Sequence, residues 1–166
     1  MNKVAAWIYN FIDALGRYVS WLNVAIIVLI VIDVFFRYMF DQTRTWVGEL
    51  EWQLFALTFL LGMSYGLQND RHIRVDLFYE KFSDKNKKRV NVTGHILFLI
   101  PWCIVVIITG YKYASNSFYI NEGSPNPNGL PYRYIIKSFI SISFVLLALS
   151  GIAEVIKSLK GTKSQS

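Results

Sequence analysis

The sequence predicts an all-α membrane protein with four transmembrane helices, and three observations support that fold class. Hydrophobic residues make up 54% of the 166 positions, a high share for so small a chain. The charged residues lie mostly between long apolar runs rather than inside them. Each run approaches the roughly 20 residues that a helix needs to cross a bilayer. We therefore expect one membrane domain over residues 1–166, with spans at about 18–36, 46–67, 90–111 and 134–156.

The N-terminal residues 3–16 have the pattern of an amphipathic helix. Apolar side chains recur there at i, i+3 and i+4, namely Val4, Trp7, Ile8, Phe11, Ile12 and Leu15. This pattern predicts a separate helix that lies in the membrane interface or packs against a partner. The alternative is that these residues only extend the first span.

The first span contains one acidic residue, Asp33, close to its end. A carboxylate at membrane depth costs roughly 2.5–3.5 kcal/mol on insertion scales, so it needs a partner. Arg37 follows four residues later and shares its helical face. We expect an ion pair between the two side chains.

The second span begins with acidic and aromatic residues. Glu49 and Glu51 lie in its first two turns, where the helix dipole favours negative charge, and Trp46 suits an aromatic belt at the membrane surface. The connection from the first span is short. We therefore expect Arg37 to pair with Glu49 or Glu51 across the two helices.

Two further features concern helix packing. Gly62 and Gly66 form a GxxxG pattern, which lets another helix approach closely, although glycine is also common in spans by chance. Pro101 lies inside the third span and removes a backbone hydrogen bond, so we expect an irregular helix there.

The connection after the second span begins with a polar corner that contains His72, Arg74 and Asp76. One interpretation is that this corner fixes the connection against a partner subunit; the other is a helix cap and lipid headgroup contact within one chain. Asp76 is a suitable cap for a short interfacial helix over residues 77–82.

The distribution of Lys and Arg predicts the topology. Twelve of the 17 lie in the two termini and the second connection, and five lie in or beside the first and third connections. The positive-inside rule then places both termini and the second connection in the cytoplasm. Asp41, Arg44 and residues 121–133 face outward as candidate docking surfaces, unless these segments are merely solvated.

Composition excludes several classes of function. The net charge of +6 does not indicate nucleic-acid binding, because the basic residues lie beside spans, where they contact lipid headgroups. A single cysteine, Cys103, excludes an internal disulfide and a cysteine metal cluster. No catalytic motif is present, so neither an enzyme nor a cofactor is expected. Two alternatives stay open: a four-span exporter that works as a homodimer through Asp33, and a haem-anchoring subunit that uses His72 and His95 as ligands.

The order of motifs in residues 34–76 resembles a known family. Arg37, Trp46–Leu50, Phe59–Gly62 and His72–Asp76 follow the pattern of the small membrane subunit of tripartite ATP-independent periplasmic (TRAP) transporters, the DctQ or SiaQ-like family. The acidic residues depart slightly from that pattern, because Leu50 separates two glutamates that are more usually adjacent.

The resemblance implies a function through partners. A large permease subunit (DctM or SiaM-like) would carry the substrate and sodium sites, and a periplasmic binding protein would deliver the substrate. The small subunit would be a non-catalytic scaffold in the bacterial inner membrane. The substrates would be organic acids of the sialic acid or C4-dicarboxylate type, and the overall likeness favours sialic acid.

Overall fold

The computed structural model describes residues 3–69 and 82–159, and within those ranges it contains helices and no strand. The helices are α1 (Lys3–Phe40), α2 (Thr45–Gln68), α3 (Asp84–Gly94), a π-helical turn (His95–Leu99), α4 (Ile100–Tyr119) and α5 (Tyr134–Leu159). The all-α prediction is confirmed. The corner with His72, Arg74 and Asp76 lies outside the described residues, as does residue range 77–81 of the predicted interfacial helix, so both stay predictions.

Three helical stretches of the described chain are long and apolar enough to cross a membrane: Lys3–Phe40, Asn86–Tyr119 and Tyr134–Leu159. Helix α2 is not among them, although its 24 residues would extend over about 36 Å. Three of the predicted spans are therefore supported by length and composition, and the predicted span at about 46–67, which corresponds to α2, stays a prediction.

Helix α1 is continuous over 38 residues, so residues 3–16 are not a separate helix. The buried positions explain this continuity, because they recur every seventh residue across the junction: Ala5, Ile12, Val19, Ile26 and Asp33. One face of the helix thus stays buried from Ala5 to Asp33. The interpretation that the N-terminal residues extend the first span is the correct one.

Helix α5 lies at the centre of the packing. It contacts α1, α2, α4 and the π-helical turn. Its buried positions include small residues, among them Ser143, Ser150, Gly151 and Ala153, which allow neighbouring helices to come close. A Cβ atom at Gly151 would lie 2.5 Å from Leu99 Cδ2. Two apolar clusters form the buried contacts between the helices. In the first, Ala153 packs against the N-terminal end of α1, and in the second, Leu147 packs with Leu67 and Cys103.

The predicted irregularity near Pro101 takes the form of the π-helical turn His95–Leu99, which directly precedes the proline. Because proline has no N–H to donate, the preceding turn loses one helical hydrogen bond. A single wider turn accommodates such a defect without ending the helix. The chain therefore continues from α3 through α4 without an interruption of the helical backbone, and its apolar part begins after the polar residues of α3.

Candidate functional site at the start of α2

Glu49 is a buried carboxylate one turn into α2, with a relative exposure of 4%. Its side chain points toward residues 120–133, which connect α4 to α5 and are called the α4–α5 loop below. A buried charge is stable only where hydrogen bonds and opposite charge replace its lost water. The loop provides both.

Four donors surround the Glu49 carboxylate. The Ser124 hydroxyl donates to Oε1, Asn126 Nδ2 donates to Oε1 at 3.0 Å, and the Leu130 N–H donates to Oε2 at 2.6 Å. The Arg133 guanidinium completes the set, with Nη2 3.5 Å from Oε1. A carboxylate accepts about four hydrogen bonds, so these residues satisfy it. We call this set the Glu49 cluster.

The α4–α5 loop also holds its own conformation. The Ser124 N–H donates to the Leu130 carbonyl at 3.0 Å, and the Gly129 N–H donates to the Asn126 carbonyl at 3.1 Å. Asn128 has a φ of 56°, a left-handed conformation that asparagine tolerates well. At Gly129, a Cβ atom would lie 2.9 Å from Glu49 Oε1 and would overlap the Ser124 side chain. The turn therefore needs glycine at this position.

A second set of charges attaches the loop to α5. Lys137 forms an ion pair with Glu122, and its Nζ lies 4.0 Å from the centre of the Tyr113 ring. The hydrogen bond from Lys137 is the main reason that the pKa of Glu122 lies below its ordinary value. Arg133 lies over the Trp52 ring of α2 at 6.0 Å. These contacts join the α4–α5 loop to α2, α4 and α5 on one side of the bundle.

The predicted pairing of Arg37 with Glu49 or Glu51 is wrong. Arg37 instead forms the ion pair with Asp33 that the i, i+4 spacing predicts. Asp33 is buried and lies on the same face of α1 as Ala5, Ile12, Val19 and Ile26. Glu49 is occupied by the α4–α5 loop. Glu51 Oε1 is buried and has no hydrogen-bond partner within residues 3–69 and 82–159.

The connection between α1 and α2 is exposed. Asp41 has a φ of 51°, and Arg44 donates to the Gln42 side chain at 3.2 Å while lying 5.6 Å from the centre of the Phe36 ring. Trp46 lies at the adjacent start of α2 and is 39% exposed. These side chains are accessible on the surface, as a docking site requires.

The predicted GxxxG contact is not used within the described chain. A Cβ atom at Gly62 or Gly66 would meet no described atom within 4 Å. Helix α2 instead makes its close glycine contact with α1, where a Cβ at Gly16 would lie 2.9 Å from Tyr65 Cβ. No described residue therefore packs against the α2 surface at Gly62 and Gly66.

Sequence reasoning missed a polar cluster between the two ends of the chain. The Tyr9 hydroxyl donates to Glu154, and Lys157 Nζ lies 3.6 Å from Glu154 Oε1 and 5.1 Å from the centre of the Tyr9 ring. Glu154 at the end of an apolar run was the available signal. Its partner Tyr9 lies 145 residues away and could not be identified by spacing.

Within the described residues, no group of three or more His, Cys, Asp or Glu side chains is arranged to hold a metal ion. The family model for "Tripartite ATP-independent periplasmic transporters, DctQ component" matches residues 26–161, which is well over half of the chain and includes the whole Glu49 cluster. Comparison with curated proteins gave no match.

Proposed function

Since the chain belongs to the DctQ family of TRAP transporter components, we propose that it is the small, non-catalytic membrane subunit of a sodium-coupled TRAP transporter. In this role it is a scaffold for the large permease subunit and helps to dock the periplasmic binding protein. The family also favours this function over a homodimeric exporter or a haem-anchoring subunit. The proposed location is the bacterial inner membrane, and the proposed substrates are organic acids of the sialic acid or C4-dicarboxylate type.

The observation that carries this proposal is the Glu49 cluster. A loop free in solution loses conformational entropy when it binds, at roughly 1–2 kcal/mol per ordered residue. The α4–α5 loop is already ordered, because a buried carboxylate binds the Ser124 hydroxyl, the Asn126 amide and the Leu130 N–H. A pre-ordered surface on a helical bundle suits a scaffold on which a soluble partner docks repeatedly.

The proposed docking surface combines two exposed segments. One is the α1–α2 connection with Asp41 and Arg44, and the other is the exposed part of the α4–α5 loop, residues 125–128. The positive-inside rule places both segments on the outer side. Helix α2 would be the remaining transmembrane span, since it packs against both α1 and α5, which are long and apolar enough to cross the membrane.

The test is binding-protein-dependent uptake by proteoliposomes that contain the chain and the large permease subunit. Glu49→Gln removes the charge with little change of shape, so we expect the half-saturating concentration of binding protein to rise about tenfold, equal to about 1.4 kcal/mol of binding. Glu154→Gln is the matched control, because Glu154 is a partly buried carboxylate at the opposite end of α5. It should leave that concentration unchanged.

Two results would count against the proposal. Equal half-saturating concentrations for Glu49→Gln and Glu154→Gln would show that the loop does not dock the binding protein. Substrate movement by proteoliposomes containing this chain without the permease, abolished by Asp33→Asn, would favour the homodimeric exporter instead.

A further inference from the structure

Helix α2 has one face that no other described helix covers. Its positions repeat at alternating spacings of four and three residues: Gly48, Trp52, Phe55, Phe59, Gly62 and Gly66. Phe55 and Phe59 are 66% and 63% exposed, and Cβ atoms at the three glycines would meet no described atom within 4 Å. We call this surface the α2 free face. From Gly48 to Gly66 it extends over about 27 Å, at 1.5 Å per residue.

The shape of the α2 free face suits another helix. Alternating spacings of four and three residues are those of helices that cross at a small angle and interdigitate. Bulky aromatic side chains form its middle, and a flat surface at Gly62 and Gly66 forms one end. Small residues one turn apart let a second backbone approach closely inside a membrane.

An acidic side chain next to this face also lacks a basic partner among the described residues. Five acidic side chains of the described chain have a Lys or Arg within 4 Å: Asp13, Asp33, Glu49, Glu122 and Glu154. Glu51 is half-buried and has no Lys or Arg within 4 Å among the described residues. Its Oε1 also has no hydrogen-bond donor among them. Glu51 lies directly beside Trp52, one turn before Phe55. A carboxylate at this depth is stable when a cation pairs with it.

We infer that a membrane-spanning helix of the large permease subunit covers the α2 free face and places an Arg or Lys beside Glu51. This inference rests on the function proposed above, which supplies the partner. A bulky side chain of the partner helix fills the flat surface at Gly62 and Gly66.

The first experiment fills the flat surface. The double variant Gly62→Leu/Gly66→Leu is co-expressed with the permease, and the ratio of large to small subunit is measured after purification through a tag on this chain. We expect that ratio to fall at least fivefold, because the added side chains occupy the partner's place. Gly94→Leu is the matched control, since a Cβ there also meets no described atom within 4 Å. Its ratio should equal that of the wild type.

Folding of the variant is checked separately. Helical circular dichroism and thermal unfolding of the purified chain should match the wild type, because the glycine Cβ positions are open. Glu51→Lys gives a second variant without added bulk on the glycines. It should also lower the subunit ratio, since a lysine would repel the partner's cation.

The second experiment identifies what covers the face. A photo-activated phenylalanine analogue at Phe59 should crosslink to the large subunit in membranes, whereas the analogue at Phe98, which is 74% exposed on the π-helical turn, should give far less of that product. Lipid adducts at Phe59, together with wild-type subunit ratios in the glycine variant, would overturn the inference. Failure of the wild-type chain to retain the permease at all would instead refute the proposed function.

Discussion

Gly129→Ala should weaken the structure through the Glu49 cluster. The new Cβ would lie 2.9 Å from Glu49 Oε1, about 0.5 Å closer than ordinary van der Waals contact, and would also overlap Ser124. The loop must therefore shift, and the hydrogen bond from Ser124 to Glu49 must lengthen or break. Overpacking of this kind costs about 1–3 kcal/mol.

The assay is thermal unfolding of the purified chain in detergent micelles. A loss of about 1–3 kcal/mol lowers the Tm by roughly 2–12 °C for a chain of this size. Gly123→Ala is the control, because it makes the same change in the same loop at a position where a Cβ meets no described atom within 4 Å.

A second-site variant makes this test more specific. Ser124→Gly removes the side chain that the new Cβ would overlap. The double variant Gly129→Ala/Ser124→Gly should therefore lose less stability than the two single losses added together. Equal Tm values for the variants at Gly129 and Gly123 would refute the reasoning, as would strict additivity in the double variant.

Two other predictions concern the charged clusters. Because the pKa of Glu122 is lowered in the folded chain, its contribution to stability is fully present above the ordinary carboxyl pKa of about 4.3 and is lost as the pH falls through the lower folded value. Unfolding followed from pH 7 to pH 3 should show this loss, and it should be smaller in Lys137→Gln, which removes the main cause; an unchanged pH dependence would contradict that cause. Tyr9→Phe removes the hydroxyl that donates to the Glu154 carboxylate and should cost about 1.5–3 kcal/mol in chemical unfolding. Tyr18→Phe, at an exposed tyrosine of the same helix, should cost nothing measurable, so equal losses would contradict a role for that hydrogen bond.

Most of the helices were predictable because their signals are local. The expected spans at about 46–67 and 134–156 correspond to Thr45–Gln68 and Tyr134–Leu159. The continuity of α1 past residue 16 was not predictable in the same way. The amphipathic pattern of residues 3–16 predicted a separate helix, but the heptad of buried side chains continues past residue 16 as far as Asp33.

The candidate site shows the same division. The pair of Asp33 with Arg37 was predicted, because residues four apart on a helix are always neighbours. The donors to Glu49 lie 75 to 81 residues further along the chain, and no spacing rule connects them. The short connection between α1 and α2 made Arg37 the expected partner for Glu49. In the structure, residues of the α4–α5 loop instead provide the hydrogen bonds and the positive charge that the Glu49 carboxylate needs.

The amino-acid sequence was enough to establish that this chain forms apolar helices for a membrane and which family its motifs follow. Both depend on contiguous residues, because a helix closes its own hydrogen bonds and its apolar length decides where it is stable. The central position of α5, the burial of Glu49 and the open glycines of α2 came from the folded molecule. Those features depend on which helix faces pack, and packing is a sum of many weak contacts between distant residues that local patterns do not record.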